Sequence, residues 1–93
     1  ITGNGNLAFG NNAGKTNQST AAIALGVQAG QTNQSSGAIA IGLLAGQGTQ
    51  TTNAIAIGVQ AGQTSQSTSG VAIGNSAGNT TIGSTLTTST GGM

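Results

Sequence analysis

Apolar and polar positions in this chain alternate over very short stretches, and the alternation returns every sixteen residues. From Leu7 the sequence divides into LAFGNNAGKTNQSTAA, IALGVQAGQTNQSSGA, IAIGLLAGQGTQTTNA, IAIGVQAGQTSQSTSG and VAIGNSAGNTTIGSTL, five units without a slip of register. Leu7, Ile23, Ile39, Ile55 and Val71 open the units, and Phe9, Leu25, Ile41, Ile57 and Ile73 follow two positions later. Alanine always stands between them. Glycine recurs at Gly10, Gly26, Gly42, Gly58 and Gly74, and an Ala-Gly pair follows at 13–14, 29–30, 45–46, 61–62 and 77–78. Gln18, Gln34, Gln50 and Gln66 form another column, which Ile82 ends.

Ile-Ala-Ile has the two-residue period of a strand, and β-branched residues suit a pleated surface. No 3.6-residue period is present, and glycines at fixed positions would weaken a helix by about 1 kcal/mol each. The glycine after each triplet supplies the positive φ of a turn. A second, polar strand is expected through Gln-Thr-Asn-Gln-Ser. Two short strands and two turns per unit predict an all-β fold, a parallel β-solenoid or β-roll of about five stacked sixteen-residue coils. At about 4.8 Å per coil the rod is roughly 24 Å long. Stacking places each side chain over its counterpart, so the Gln and Asn columns are expected to form amide ladders.

The aliphatic columns, Ile23, Leu25, Ile39, Ile41, Ile55, Ile57, Val71 and Ile73, are the expected core. Two large aliphatic side chains per coil bury too little surface to offset the ordering of sixteen residues, so further burial is expected. The alanine column Ala24, Ala40, Ala56 and Ala72 makes the strand apolar on both faces, which suits a strand covered on both sides. That column, with Val27, Leu43 and Val59 just past the turn and Leu44 widening the stripe, is the expected contact with other copies of the chain.

Composition narrows the function. The 93 residues hold one Lys and no Arg, Asp, Glu, His or Cys. A net charge of +1 leaves no electrostatic footprint for nucleic acid. No apolar run is long enough for a membrane span, so no membrane insertion by this segment is expected. General acid–base catalysis, a metal site and an activated nucleophile all need side chains that the sequence lacks. No enzyme, cofactor or metal is therefore expected.

Gly10-Asn11-Asn12-Ala13-Gly14-Lys15-Thr16 looks at first like a phosphate-binding loop. Such a loop needs four residues between its first glycine and the Gly-Lys pair, and here there are three. Gly10, Ala13 and Gly14 are ordinary members of repeated columns, and Lys15 stands where later units have Gln31, Gln47, Gln63 and Asn79. The motif reads as the first full repeat, with a charge near an exposed end of the stack. Asn17, Asn33 and Asn79 open N-glycosylation triplets, which a chain rich in Asn, Ser and Thr also produces by chance.

The units IALGVQAG, IAIGLLAG, IAIGVQAG and VAIGNSAG resemble the head repeats of YadA-like trimeric autotransporter adhesins. Related repeats occur in bacterial, phage and viral tail-fibre-type proteins. The resemblance covers Leu7 to Gly78, with a longer polar segment and fewer charges than adhesin heads usually carry. It implies a left-handed β-roll in a side-by-side homotrimer, located extracellularly on a cell or virion surface. The implied role is attachment, with the chain itself and a host or cell-surface receptor as partners. Residues 1–6 are expected to be a partial coil or linker, 7–78 the roll, and 79–93 a decaying coil, cap or tail. The chain, opening in mid-pattern at Ile1, reads as a segment of a longer protein. Two other readings compete: an open-ended filament subunit, and an ice-binding solenoid built on Thr16, Thr32, Thr64 and Thr80 beside Thr20, Ser36, Thr52 and Thr68. Against ice binding, Gly48 breaks the first column and the strand reads Thr-x-Gln.

Overall fold

The computed structural model describes residues 5–78 and the backbone of a strand at 86–88. The described residues form nine short strands: β1 (Leu7–Phe9), β2 (Ile23–Leu25), β3 (Asn33–Gln34), β4 (Ile39–Ile41), β5 (Thr49–Gln50), β6 (Ile55–Ile57), β7 (Ser65–Gln66), β8 (Val71–Ile73) and β9 (Leu86–Thr88). They form two parallel sheets, one ordered β1-β2-β4-β6-β8-β9 and the other β3-β5-β7. Through β8 every pairing joins residues sixteen apart, as in Ile23↔Ile39 and Gln34↔Gln50. The chain is thus a β-solenoid of about four turns. Backbone bonds join the coils at the corners as well as in the strands, for example Ile23 N–H to Ala38 C=O at 2.9 Å and Gly30 N–H to Ala45 C=O at 2.8 Å.

The two faces of the larger sheet are the reverse of the sequence expectation. Ala24, Ala40, Ala56 and Ala72 point into the roll and are fully buried, together with Ala29, Ala45 and Ala61 from the following corner. Ile23, Ile39, Ile41, Ile55, Ile57, Leu25 and Val71 are only half-buried on the outside, and Ile73 is exposed. The expected core columns are therefore the outer surface. The expected alanine interface is the interior, closed to any second chain. The physical reason lies across the interior, where the only large fully buried side chains among the described residues are Gln34, Gln50 and Gln66.

Each buried Gln crosses the roll from the smaller sheet to the larger. Gln50 Nε2 donates to the carbonyl of Ile39 on the opposite strand of its own coil, to Ala54 C=O at 3.2 Å, and to Gln66 Oε1 at 3.1 Å. Gln34 and Gln66 repeat the tie to Ile23 and Ile55, and Gln18 donates to Leu7 C=O at 3.0 Å. Gln18, Gln34, Gln50 and Gln66 thus form the amide ladder expected from their spacing, at 3.1 Å per step. Among the described residues no buried side-chain nitrogen or oxygen lacks a partner. This matters because an unpaired buried amide costs about 1–3 kcal/mol. An isoleucine pointing inward would occupy the space of the carboxamide opposite it; a methyl group leaves that space free.

The corners explain the glycine columns. Gly42 has φ +123°, and a Cβ there would lie 2.8 Å from the carbonyl oxygen of Gly58 in the next coil. Gly46, at φ +54°, lies against the Gln50 carboxamide, where a Cβ would come within 2.8 Å of Oε1. The first column turns the chain and the second makes room for the ladder. Between them Gln28, Leu44 and Gln60 adopt φ of 60°, 64° and 62° without being glycine. Inter-coil bonds hold them there, such as Leu44 N–H to Val27 C=O at 2.9 Å.

Asn6, expected in a partial coil or linker, is buried and donates through Nδ2 to Gln18 C=O at 2.8 Å. The expected decaying coil, cap or tail at 79–93 lies outside the described residues except for β9. That strand joins the larger sheet with a fifteen-residue step, Val71↔Leu86, so one residue is lost from the period.

The ladder makes a direct prediction. In Gln50→Glu an ionised carboxylate would face the carbonyls of Ile39 and Ala54 with no proton to donate. Burial raises the folded-state pKa of such a carboxyl above the ordinary value of about 4.3. The variant is therefore expected to be most stable below about pH 4 and to lose stability as pH rises through that raised pKa. Thermal melts followed by circular dichroism at acidic and neutral pH measure this. A variant as stable at neutral as at acidic pH would contradict the buried donor role.

Candidate functional site

The largest apolar side chains form one outer face. Leu7, Ile23, Ile39, Ile55 and Val71 make one file along the stack, and Phe9, Leu25, Ile41, Ile57 and Ile73 make the second. Stacking covers each side chain against its neighbours above and below, so most are half-buried, but their outward ends remain in water. Phe9, at the end of its file, is 77% exposed. Val27, Leu43 and Val59 continue the apolar surface onto the corner at 46%, 45% and 40% exposure. These three residues of the expected contact surface are accessible; the four alanines grouped with them are not.

The opposite sheet presents a polar face. Because Gln34, Gln50 and Gln66 point inward, the outward residues of that sheet pair up as Asn33 with Ser35, Thr49 with Thr51, and Ser65 with Ser67. Thr16, Thr32 and Thr64 and the column Thr20, Ser36, Thr52 and Thr68 are exposed beside this sheet, while Thr80 lies outside the described residues. A second amide ladder runs on the surface, from Gln63 Nε2 to Gln47 Oε1 and from Gln47 Nε2 to Gln31 Oε1, both at 2.9 Å. It donates toward the N-terminal coil, opposite in direction to the inner ladder. Lys15 stands at the next position of that column and is exposed. Of the glycosylation triplets, Asn17 and Asn33 are exposed and bonded to each other, Asn17 Nδ2 to Asn33 Oδ1 at 2.9 Å; Asn79 lies outside the described residues.

The described residues present two different surfaces, one apolar face and one hydroxyl- and amide-rich face with Lys15 at its N-terminal end. No helix of the described residues is long and apolar enough to cross a membrane. No protein-family model matches the chain, and neither a curated protein nor a solved structure matches it.

The reversal of faces is measurable in the isolated chain. Ala56→Leu overfills the interior and is expected to cost about 1–3 kcal/mol or more in unfolding free energy. Ile57→Thr, on the outer face, is expected to cost less than about 1 kcal/mol in the monomer. Denaturant titrations under dissociating conditions compare the two. The opposite order would restore the isoleucines to the core.

Proposed function

We propose that this chain is a structural and adhesive module, in which three copies of the roll pack their aliphatic faces around a common axis. The observation that carries the reading is the inside-out distribution of apolar bulk: alanine and glutamine fill the interior, while isoleucine, leucine, valine and phenylalanine lie outside. A contiguous apolar surface of this kind marks an interaction site. Burying it against other copies supplies the hydrophobic stabilisation that an alanine core does not. The uncharged face places no like charges in opposition when copies meet.

The repeat resemblance supports a left-handed roll within a fibre on a cell or virion surface, outside the cell. Such a module acts by shape and by presenting several equivalent surfaces to a receptor, and multivalency multiplies weak individual contacts. It calls for no cofactor and no nucleic-acid partner. Sedimentation equilibrium and native mass spectrometry are expected to give a discrete trimer at micromolar concentration. Ile41→Asn with Ile57→Asn is expected to shift it to monomer while preserving the β-rich spectrum. A monomeric wild type would overturn the reading, and unbounded fibres in electron micrographs would replace it with the open-ended filament.

One observation favours a second reading, an ice-binding surface. The glutamine that interrupts the hydroxyl pattern in sequence faces inward, so the outward-facing pair in the third coil is Thr49 and Thr51, both half-buried, on a regular sheet. That reading expects thermal hysteresis at millimolar protein; its absence removes it.

A further inference from the structure

The surface amide ladder has a direction, and one end of it is incomplete. Gln63 Nε2 donates to Gln47 Oε1 and Gln47 Nε2 donates to Gln31 Oε1, so each carboxamide gives to the coil before it. The oxygen of Gln31 is therefore taken, and its Nε2 is the end donor of the row. Lys15 occupies the next position of the column. The backbone sets it there as it sets the other members. Gly14 N–H reaches Ala29 C=O at 2.9 Å and Thr16 N–H reaches Gln31 C=O at 2.8 Å, just as Gly30 reaches Ala45 and Thr32 reaches Gln47 one coil on. An ammonium has three donors and no acceptor. Each later step of the ladder brings a donor to an oxygen; this step brings donors to donors.

Among the described residues no acceptor fills the gap: neither Gln31 Nε2 nor Lys15 Nζ has a partner. The chain has no Asp or Glu to supply one as a counter-ion. The row of aligned amide dipoles also directs its positive end to the position that carries the one cationic side chain. Hydrogen-bonded amides in a row polarise one another in the same sense, so dipoles and charge act together. Both favour an anion, whose oxygens are the missing acceptors. Thr16, Asn17, Thr32 and Asn33 are exposed beside this position. Their hydroxyls and amides both donate and accept, as sugar hydroxyls do, and they offer little to the apolar side chains of a peptide.

We propose that Lys15 Nζ and Gln31 Nε2 form a binding site for the carboxylate or sulfate of an acidic saccharide, with the hydroxyls of Thr16 and Thr32 meeting the sugar ring. The anion takes the place that an amide oxygen holds at every later step of the column. One exposed charge gives weak binding, with a dissociation constant on the order of 1 mM. Several copies of the site on one assembly would multiply it. The inference deepens the attachment reading by naming a ligand chemistry, and the site itself needs no second copy of the chain.

The test is a nuclear magnetic resonance titration of the full, nitrogen-15-labelled chain with sodium glucuronate and with glucose 6-sulfate. Glucose and sodium chloride at matched ionic strength are the controls. Saturable shifts are expected at the Gln31 side-chain amide with either acidic sugar, and not with the controls. Lys15→Gln installs the residue of the next three coils, so the roll is retained. It is expected to weaken binding about tenfold or more. In Gln31→Glu the carboxylate still accepts from Gln47 Nε2 and places an anion beside Lys15 within the chain. This second variant is expected to lose binding while the Gln47 side-chain signals persist.

Acidic sugars that shift Gln31 no more than sodium chloride does would overturn the site. Shifts that survive Lys15→Gln would overturn it as well. An equal response to an acetylated aspartate amide would overturn the saccharide class. Each of these outcomes leaves the trimer reading intact, because oligomeric mass tests that reading separately.

Discussion

The carboxamide of one glutamine per coil is the constraint on which the rest of this structure depends. It spans the interior from the smaller sheet to the larger, donates to a strand carbonyl of its own coil, and passes a hydrogen bond to the next coil. A buried amide needs both its donors and its acceptor satisfied. The stack provides this only if coils repeat in register and the opposite strand stays within reach. The narrow interior, the small residues facing the amide and the second glycine column all follow from that requirement.

A core built this way holds the coils in line, but it buries little apolar area. Ala24, Ala40, Ala56 and Ala72 each contribute one methyl group, and the ladder bonds replace bonds that the unfolded chain makes with water. The large apolar side chains lie outside, half-covered by their stacked neighbours. The roll is thus ordered within by its amide ladder and leaves its bulkiest apolar side chains on the outside.

Electrical neutrality fits the same division. With a single lysine and no acidic side chain, recognition by these surfaces away from Lys15 rests on shape and on the pattern of apolar and amide groups rather than on charge. The surface amide ladder is uniform through Gln31, Gln47 and Gln63 and departs from that pattern at Lys15.

Much of the fold is legible in the sequence. The sixteen-residue period, the two strands per coil, the turning role of Gly26 and Gly42 and the amide ladder follow from spacing and residue chemistry alone. Even the inward face left a trace, because Ala24, Ala40, Ala56 and Ala72 never change while the flanking positions vary among Leu, Ile, Val and Phe. That invariance in size is what a narrow interior demands. Alternation, however, states only that the two faces differ. Which one turns inward depended on what stood across the roll, and that was decided by the reach of a glutamine side chain to an opposite carbonyl eleven residues earlier in its own coil. The same tertiary contact kept the aliphatic files in water, because a two-residue period carries no record of the distance between two sheets.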